Sequence, residues 1–440
     1  MGRTATRART TEHDGPEGSH ASPSREPDVR RRRQVPVRPV RASTPGRFGP
    51  VHLYQVVLVQ VAACLALTGW VVGSAVLVAC ATTGLVLIVL TVRWGRRSLP
   101  ERLVAAAGFR RRAKAAAAVS DRQVSPGLAP VVECAPGVHT ATFVHRDGRS
   151  IGIVGDATFA TAVVRVEQRS RALNGMSAGS PLSLGLLADA LEVDGVRLES
   201  VQVVQHTQPA PAPTLPPRSV AASSYGPLQA SAGAPAVRVT WVALKLDPEV
   251  CPEAVAARGG GAEGARRAVV RAADHLASRL VGAGFRATVL SEDEVVTALA
   301  ASVGAEVSVA AQAGAPGPPP GRRTAESVRH WRCDDRWHTV YGVGGWPGMG
   351  VGGVPLADVA GVLSAVPASA STLSVTLSPC GRESVAVTGH VRITGRSPEE
   401  LVPLCRALEE AAGRVRVGLV PLDYQQTPGV LASIPLGGLR

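Results

Sequence analysis

The sequence predicts a membrane protein, with an N-terminal two-helix transmembrane hairpin and a cytoplasmic mixed α/β domain. Three observations carry this expectation. Residues 51–92 run from Val51 to Val92 almost without charge. Arginines crowd both flanks of that run, from Arg30 to Arg47 before it and from Arg93 to Arg112 after it. Beyond residue 131, helical and strand periodicities alternate, which is the pattern of a mixed α/β domain.

The hairpin follows from length. One helix over 51–92 would extend about 60 Å, twice the hydrocarbon thickness of a bilayer. Two helices, at about 51–70 and 73–92, fit instead, with a break near Gly69-Trp70-Val71-Val72-Gly73-Ser74. Glycine permits a tight turn there, and tryptophan suits a membrane interface. The basic flanks put both ends of the hairpin on the cytoplasmic side by the positive-inside rule. They also explain much of the formal charge of +13, from 47 basic and 34 acidic residues. Because the charge brackets an apolar run, lipid anchoring explains it better than nucleic-acid binding, and no nucleic-acid partner is expected.

Residues 1–50 are rich in Arg, Pro, Ser and Gly and have almost no hydrophobic periodicity, so a disordered arm is expected. The opening Met1-Gly2-Arg3-Thr4-Ala5-Thr6 matches a myristoylation pattern by coincidence, and no secretory signal peptide is expected. Residues 93–130 form a basic juxtamembrane linker, with a helix over Arg102–Ala118 lying at the membrane surface. Residues 131–440 form the α/β domain, interrupted by Pro-rich loops near 207–235 and 304–322.

Within the domain, Ser150–Asp156 and Val196–His206 read as strands, and Pro181–Leu191 as a short helix. Val237–Leu246 is a strand, Glu263–Val281 an amphipathic helix and Phe285–Leu290 the next strand. Ser291 with Glu294 forms a capping box for a helix through about Ala301. Trp337–Val343 is a strand, and Ser374–Leu377 with Ser384–Thr394 an antiparallel pair. Ser397-Pro398-Glu399-Glu400 starts the last long helix, and a strand near Val415–Leu422 precedes an irregular tail.

Chemical motifs are few. Seven scattered cysteines, with no C-x-x-C pair, fit neither a disulfide framework nor a zinc site and suit a reducing compartment. Tyr341–Gly348 is glycine-rich but lacks the Lys-Ser/Thr of a phosphate loop, so it reads as a loop at a strand end. Trp331-Arg332-Cys333-Asp334-Asp335-Arg336-Trp337-His338 gathers a thiol, two carboxylates and an imidazole. Asp334 and Asp335 could hold a divalent cation, and Cys333 with His338 a nucleophile and base. The interleaved arginines favour a solvated, salt-bridged turn. His206, His275 and His390 stand isolated and read as structural. No catalytic, cofactor-binding or metal-binding residue is assigned, no cofactor is expected, and the chain is read as no enzyme.

Arg323–Ser327 through Trp331 and on to Trp337–Tyr341 resembles the hallmark segment of EccE, a membrane component of the type VII (ESX) secretion system of actinobacteria. Pro181–His206 and the closing Gly429–Gly438 are similar to the same family. The resemblance implies a glycosyltransferase-like cytosolic domain without an evident active site. It also implies a place in the inner membrane as a multi-pass subunit, beside EccB, the EccC ATPase and EccD. The expected function is a non-catalytic structural subunit supporting protein export. The alternatives are a membrane-tethered glycosyltransferase-like enzyme and a membrane-anchored adaptor or regulatory protein.

Overall fold

Strand and helix signals after residue 131 resolve, in a computed structural model, into one large antiparallel sheet with helices on both faces. The structure describes residues 97–117, 124–168, 182–208, 237–305, 321–348, 355–381 and 384–438, with residues 47–48, 51–52 and 93–94 and scattered positions between 57 and 83. The sheet has twelve strands. They are β1 (His139–Val144), β2 (Ser150–Gly155), β3 (Ala160–Gln168), β4 (Ser200–Gln208), β5 (Val237–Leu246) and β6 (Phe285–Val289). Then come β7 (Thr324–Glu326), β8 (Trp331–Cys333), β9 (Arg336–Gly345), β10 (Ala370–Cys380), β11 (Ser384–Gly395) and β12 (Gly418–Pro421).

The strand order is β7-β8-β9-β11-β10-β4-β5-β3-β2-β1, with β6 added on β3 and β12 on β9. This order reads as two copies of one six-stranded plan. In the first, β3 pairs with β2 through Ala160–Ala162 and with β6 through Val164–Gln168. In the second, β9 pairs with β8 through Arg336–His338 and with β12 through Tyr341–Gly345. The two halves meet where β4 pairs antiparallel with β10, Val204 opposite Ser374. The sheet is thus nearly symmetric about that junction.

The helices follow the same plan. On one face lie α3 (Leu184–Asp189) and α5 (Gly261–Gly282) from the first half, and α7 (Leu356–Ser364) and α8 (Pro398–Arg414) from the second. On α5, Ala268, Val269, Ala272, Leu276 and Leu280 are buried, the apolar stripe its periodicity predicts. On the other face lie α2 (Ala129–Cys134), α6 (Glu292–Val303) and α9 (Gln426–Ser433). Short α4 (Pro252–Ala256) packs on α5, and α1 (Leu99–Ala117) precedes α2. The capping box of α6 is formed: the Ser291 amide donates to Glu294 Oε2 at 2.9 Å and the Glu294 amide to Ser291 Oγ at 3.4 Å. Ser397 caps α8 with Pro398 at its first position.

The expected fold class needs correction. Among the described residues, no helix is long and apolar enough to cross a membrane. The spans placed at about 51–70 and 73–92 fall mostly outside the described residues, which include there the two-residue strand Val51–His52 and scattered helical positions. The physical reason is that an uncharged run in a sequence measures hydropathy, whereas a span also needs a continuous apolar helix of about 20 residues, and none is present among the described residues. The domain expected to be mixed α/β and glycosyltransferase-like is a mixed α/β body, and every described strand pair of its sheet is antiparallel. The arm at 1–50 and the loops near 207–235 and 304–322 lie largely outside the described residues.

Smaller corrections follow. Tyr341–Gly345 belong to β9 and not to a loop. The tail expected to be irregular forms α9 and then crosses the sheet junction. There Gln202 of β4 donates to Ser374 Oγ of β10 and to the Ala432 carbonyl, each at 2.8 Å. Its side-chain Oε1 accepts from the Gly437 amide at 2.7 Å. Ser200 donates to the Gly437 carbonyl at 2.5 Å, and Thr161 to that of Leu436 at 3.2 Å. Gly437 sits at φ +87°, and a Cβ on it would stand 2.4 Å from Lys245 Cβ.

Replacing Gly437 with Ala therefore forces a left-handed backbone and a collision together. The expected loss is at least about 1–2 kcal/mol, the left-handed penalty alone. It would be measured as a lowered urea midpoint at unchanged m value.

Candidate functional site

The segment from Trp331 to His338 is the sequence's densest collection of reactive groups, and it forms the β8–β9 hairpin. Cys333 pairs with Arg336 across a two-residue turn made by Asp334 and Asp335. Asp334 takes φ +51°, a conformation aspartate tolerates in such turns. Its carboxylate receives a bidentate pair from Arg323, Nε to Oδ1 at 2.9 Å and Nη2 to Oδ2 at 2.7 Å. The two side chains are only 3% and 4% exposed. Arg323 also donates to the Pro126 carbonyl at 2.6 Å. This is a buried clasp, where the expectation was a solvated turn. Asp335 diverges from it, half-exposed and paired with Arg336 at 3.2 Å. Among the described residues, no group of His, Cys, Asp and Glu side chains is arranged to hold a metal ion.

Cys333 and His338 do not act on each other. The thiol is fully buried, its Sγ 4.0 Å from Asp334 Oδ2, and burial pushes its pKa well up. A buried thiol of this kind is inert. His338 Nδ1 lies 2.9 Å from Thr394 Oγ1, and burial holds the imidazole well below its ordinary pKa. Trp331 packs against His338, with ring centroids 5.2 Å apart.

Behind this hairpin, beneath α6, lies a polar layer that sequence reasoning missed. Arg392 of β11 is completely buried, and burial pulls its pKa down to about 9, so it stays cationic at neutral pH. Its Nη2 donates to the Ser302 carbonyl and to Thr372 Oγ1. Its Nε and Nη1 have no hydrogen-bond partner among the described residues. His206 bonds the same Thr372 hydroxyl at 2.9 Å, and burial drives its pKa down to about 3. His206 reads as structural, as the sequence suggested. Arg392 alternates with apolar neighbours in V-R-I-T, so only its strand register could have revealed it.

The open features lie elsewhere. A groove of about 1310 Å³ runs between α5, β6 and the β1–β2 hairpin. Phe143, Ala277 and Val289 give it apolar walls, and Arg146, Arg258 and Arg271 stand on its rim. Its counterpart in the second half, between α8 and β12, is only about 370 Å³ and is partly walled by Arg102 of α1. Helix α1 is docked there rather than lying free: Arg112 pairs with Glu326 at 2.9 Å, and Phe109 meets Tyr424 edge-on.

Residues 234–343 match the family model of EccE, described as a putative type VII ESX secretion system translocon. The matched stretch runs from β5 through α5 and α6 to β9, and holds the Arg323–Asp334 clasp. No curated protein matches the chain. Among solved structures, an alkyldihydroxyacetonephosphate synthase aligns over 61% of this chain and 42% of its own, at 7% identity and a TM-score of 0.25. The chain thus spans less than half of that structure's length, and a likeness so weak carries no argument.

Two outcomes follow for the buried groups. Asp334→Ala strands the Arg323 charge, and the expected cost is about 3–5 kcal/mol by chemical denaturation. The double change Arg323→Met with Asp334→Leu should cost far less, since no charge is left alone. His206 is held at about 3 and His390 at about 4, both by burial. The unfolded chain takes up these protons first, near pH 6.5, so stability rises with pH across that window. Full stability is expected above pH 6.5, with loss on acidification toward pH 3–4. Denaturation followed from pH 8 to pH 4 checks this.

Proposed function

We propose that this chain, a member of the EccE family by its segment 234–343, is a non-catalytic structural subunit of a type VII secretion machine. The family assigns it to type VII secretion, and the narrower role is our reading. The observation that carries it is the fate of the reactive hairpin. Asp334 is consumed in a buried ion pair, and Cys333 and His338 are shut into the core in their neutral forms. The residues that most resemble a catalytic set therefore hold the fold together.

In this reading the twelve-stranded sheet is a rigid platform. Its buried helices fix the sheet, and its open grooves and rims meet other subunits of the export complex: EccB, the EccC ATPase and EccD. The platform works on the cytoplasmic side of the membrane. The free thiols at Cys134, Cys251, Cys333, Cys380 and Cys405 suit that reducing compartment.

The test has two parts. Affinity purification of the full chain in mild detergent from secreting cells should bring down an ATPase and other secretion components in fixed ratio. Recovery of the chain alone would support the adaptor reading instead. Asp335→Asn removes the one half-exposed carboxylate of the motif without touching the Arg323 clasp. Export should persist at wild-type level. Lost export from a folded variant that still assembles would point to chemistry at this turn.

A further inference from the structure

The two ends of the sheet are finished differently. At one end, β7 is covered. The amides of Arg323 and Thr324 donate to the Glu133 carboxylate of α2, at 3.0 and 2.8 Å, and α1 reaches over to Glu326 through Arg112. At the other end, β1 pairs with β2 alone among the described residues. An uncovered edge strand is a template for another strand. Natural proteins blunt such edges with charge, proline or a bulge. β1, with the sequence His-Thr-Ala-Thr-Phe-Val, has no Asp, Glu, Lys, Arg or Pro, and its register with β2 is unbroken.

The direction of its free backbone groups can be derived. Opposite Thr142 sits Gly152, whose amide turns away from β1 and donates to the Leu290 carbonyl at 2.8 Å. Thr142 and Gly152 are therefore a non-hydrogen-bonded pair, and Thr142 presents its own N–H and C=O outward. By alternation, Thr140 and Val144 do the same.

The two faces beside this edge differ in chemistry. On the α5 side, His139 and Ala141 line a groove of about 490 Å³, and Phe143 lines the larger one of about 1310 Å³. On the α6 side, Thr140 donates to Glu292 Oε1 at 2.6 Å and Thr142 to Glu292 Oε2, which lays a carboxylate over the strand. Those hydroxyls hold the Glu292 pKa below its usual range, so the group is ionised at neutral pH. Asp293 and Glu294 share that helix turn.

We propose that β1 is a docking edge for strand addition by another protein, and that the incoming strand alternates apolar side chains over the α5-side grooves with basic ones over Glu292. Main-chain bonds to Thr140, Thr142 and Val144 supply affinity, and the grooves and the carboxylate supply specificity. A second copy of this chain fits the edge poorly. Antiparallel self-pairing would bring two Glu292 carboxylates over one ribbon, and like charges facing across strands destabilise it. The proposal goes beyond the export reading, because it concerns which surface takes a partner strand and of what chemistry.

The test uses the purified full chain and a synthetic decapeptide alternating arginine and valine, with a twin carrying glutamate for arginine. Hydrogen exchange should show the amides of Thr140, Thr142 and Val144 protected on addition of the arginine peptide. Fluorescence anisotropy should favour it over the glutamate twin by about tenfold, with Glu292→Gln erasing most of that preference. Val144→Pro removes an outward N–H that no ladder bond uses, so the fold stays and binding falls about tenfold. Absence of protection at β1 overturns the proposal, as does equal binding of the glutamate twin. A dimer in sedimentation that Val144→Pro dissolves assigns the edge to a second copy and overturns it too.

Discussion

The pairing of β4 with β10 is the contact on which the rest depends. It is the only strand pair joining the two six-stranded halves among the described residues. Helix α6 and the C-terminal segment reinforce it, through the Ser302 carbonyl on Arg392 and the Gly437 carbonyl on Ser200. The junction is apolar on one face, through Val201, Val203, Leu373, Val375 and Leu377. On the other it is polar, and Gln202 satisfies all of that polarity it touches: a hydroxyl, a carbonyl and an amide. A buried amide with this many partners stabilises only if every bond is made, which is why the C-terminal segment must return across the sheet.

That requirement links sequence to function. The closing Gly429–Gly438 stretch supplies the carbonyls of Ala432 and Gly437 and the amide of Gly437 to the junction. The stretch matched by the EccE model supplies the Arg323–Asp334 clasp, which ties the β8–β9 turn to the Pro126 carbonyl ahead of α2. These contacts sit where the halves are joined and where one sheet edge is covered. Such a distribution serves a fixed shape. It leaves the opposite edge, at β1, as the place where the sheet can still be extended.

Much of this fold was legible in the sequence. Val237–Leu246, Phe285–Leu290 and the helices opened by Ser291 and Ser397 appear within a residue or two of their expected positions, because period, caps and proline placement are local signals. The β10–β11 pair was legible for the same reason. What was not legible is non-local. The duplication of the six-stranded plan depends on pairing between residues 201–207 and 371–377, which no window of sequence contains. Helix α9 begins at Gln426-Thr427-Pro428-Gly429, a turn-like run, and is helical because it packs on β9, β10 and β11. The Asp334 clasp was misjudged because adjacent acids and arginines look alike whether solvated or buried. The uncharged block at 51–92 shows hydropathy alone in the sequence, and no membrane-crossing helix is present among the described residues.

The account rests on the two halves behaving as one body. Native-state hydrogen exchange across a denaturant series measures this most directly. The account predicts that the slowest amides of β3 and β5 in one half, and of β9 and β11 in the other, open together with those of β4 and β10, at one free energy equal to global unfolding. Two separate opening free energies, with β4 and β10 exchanging early, would show that the junction does not hold the halves together and would contradict it.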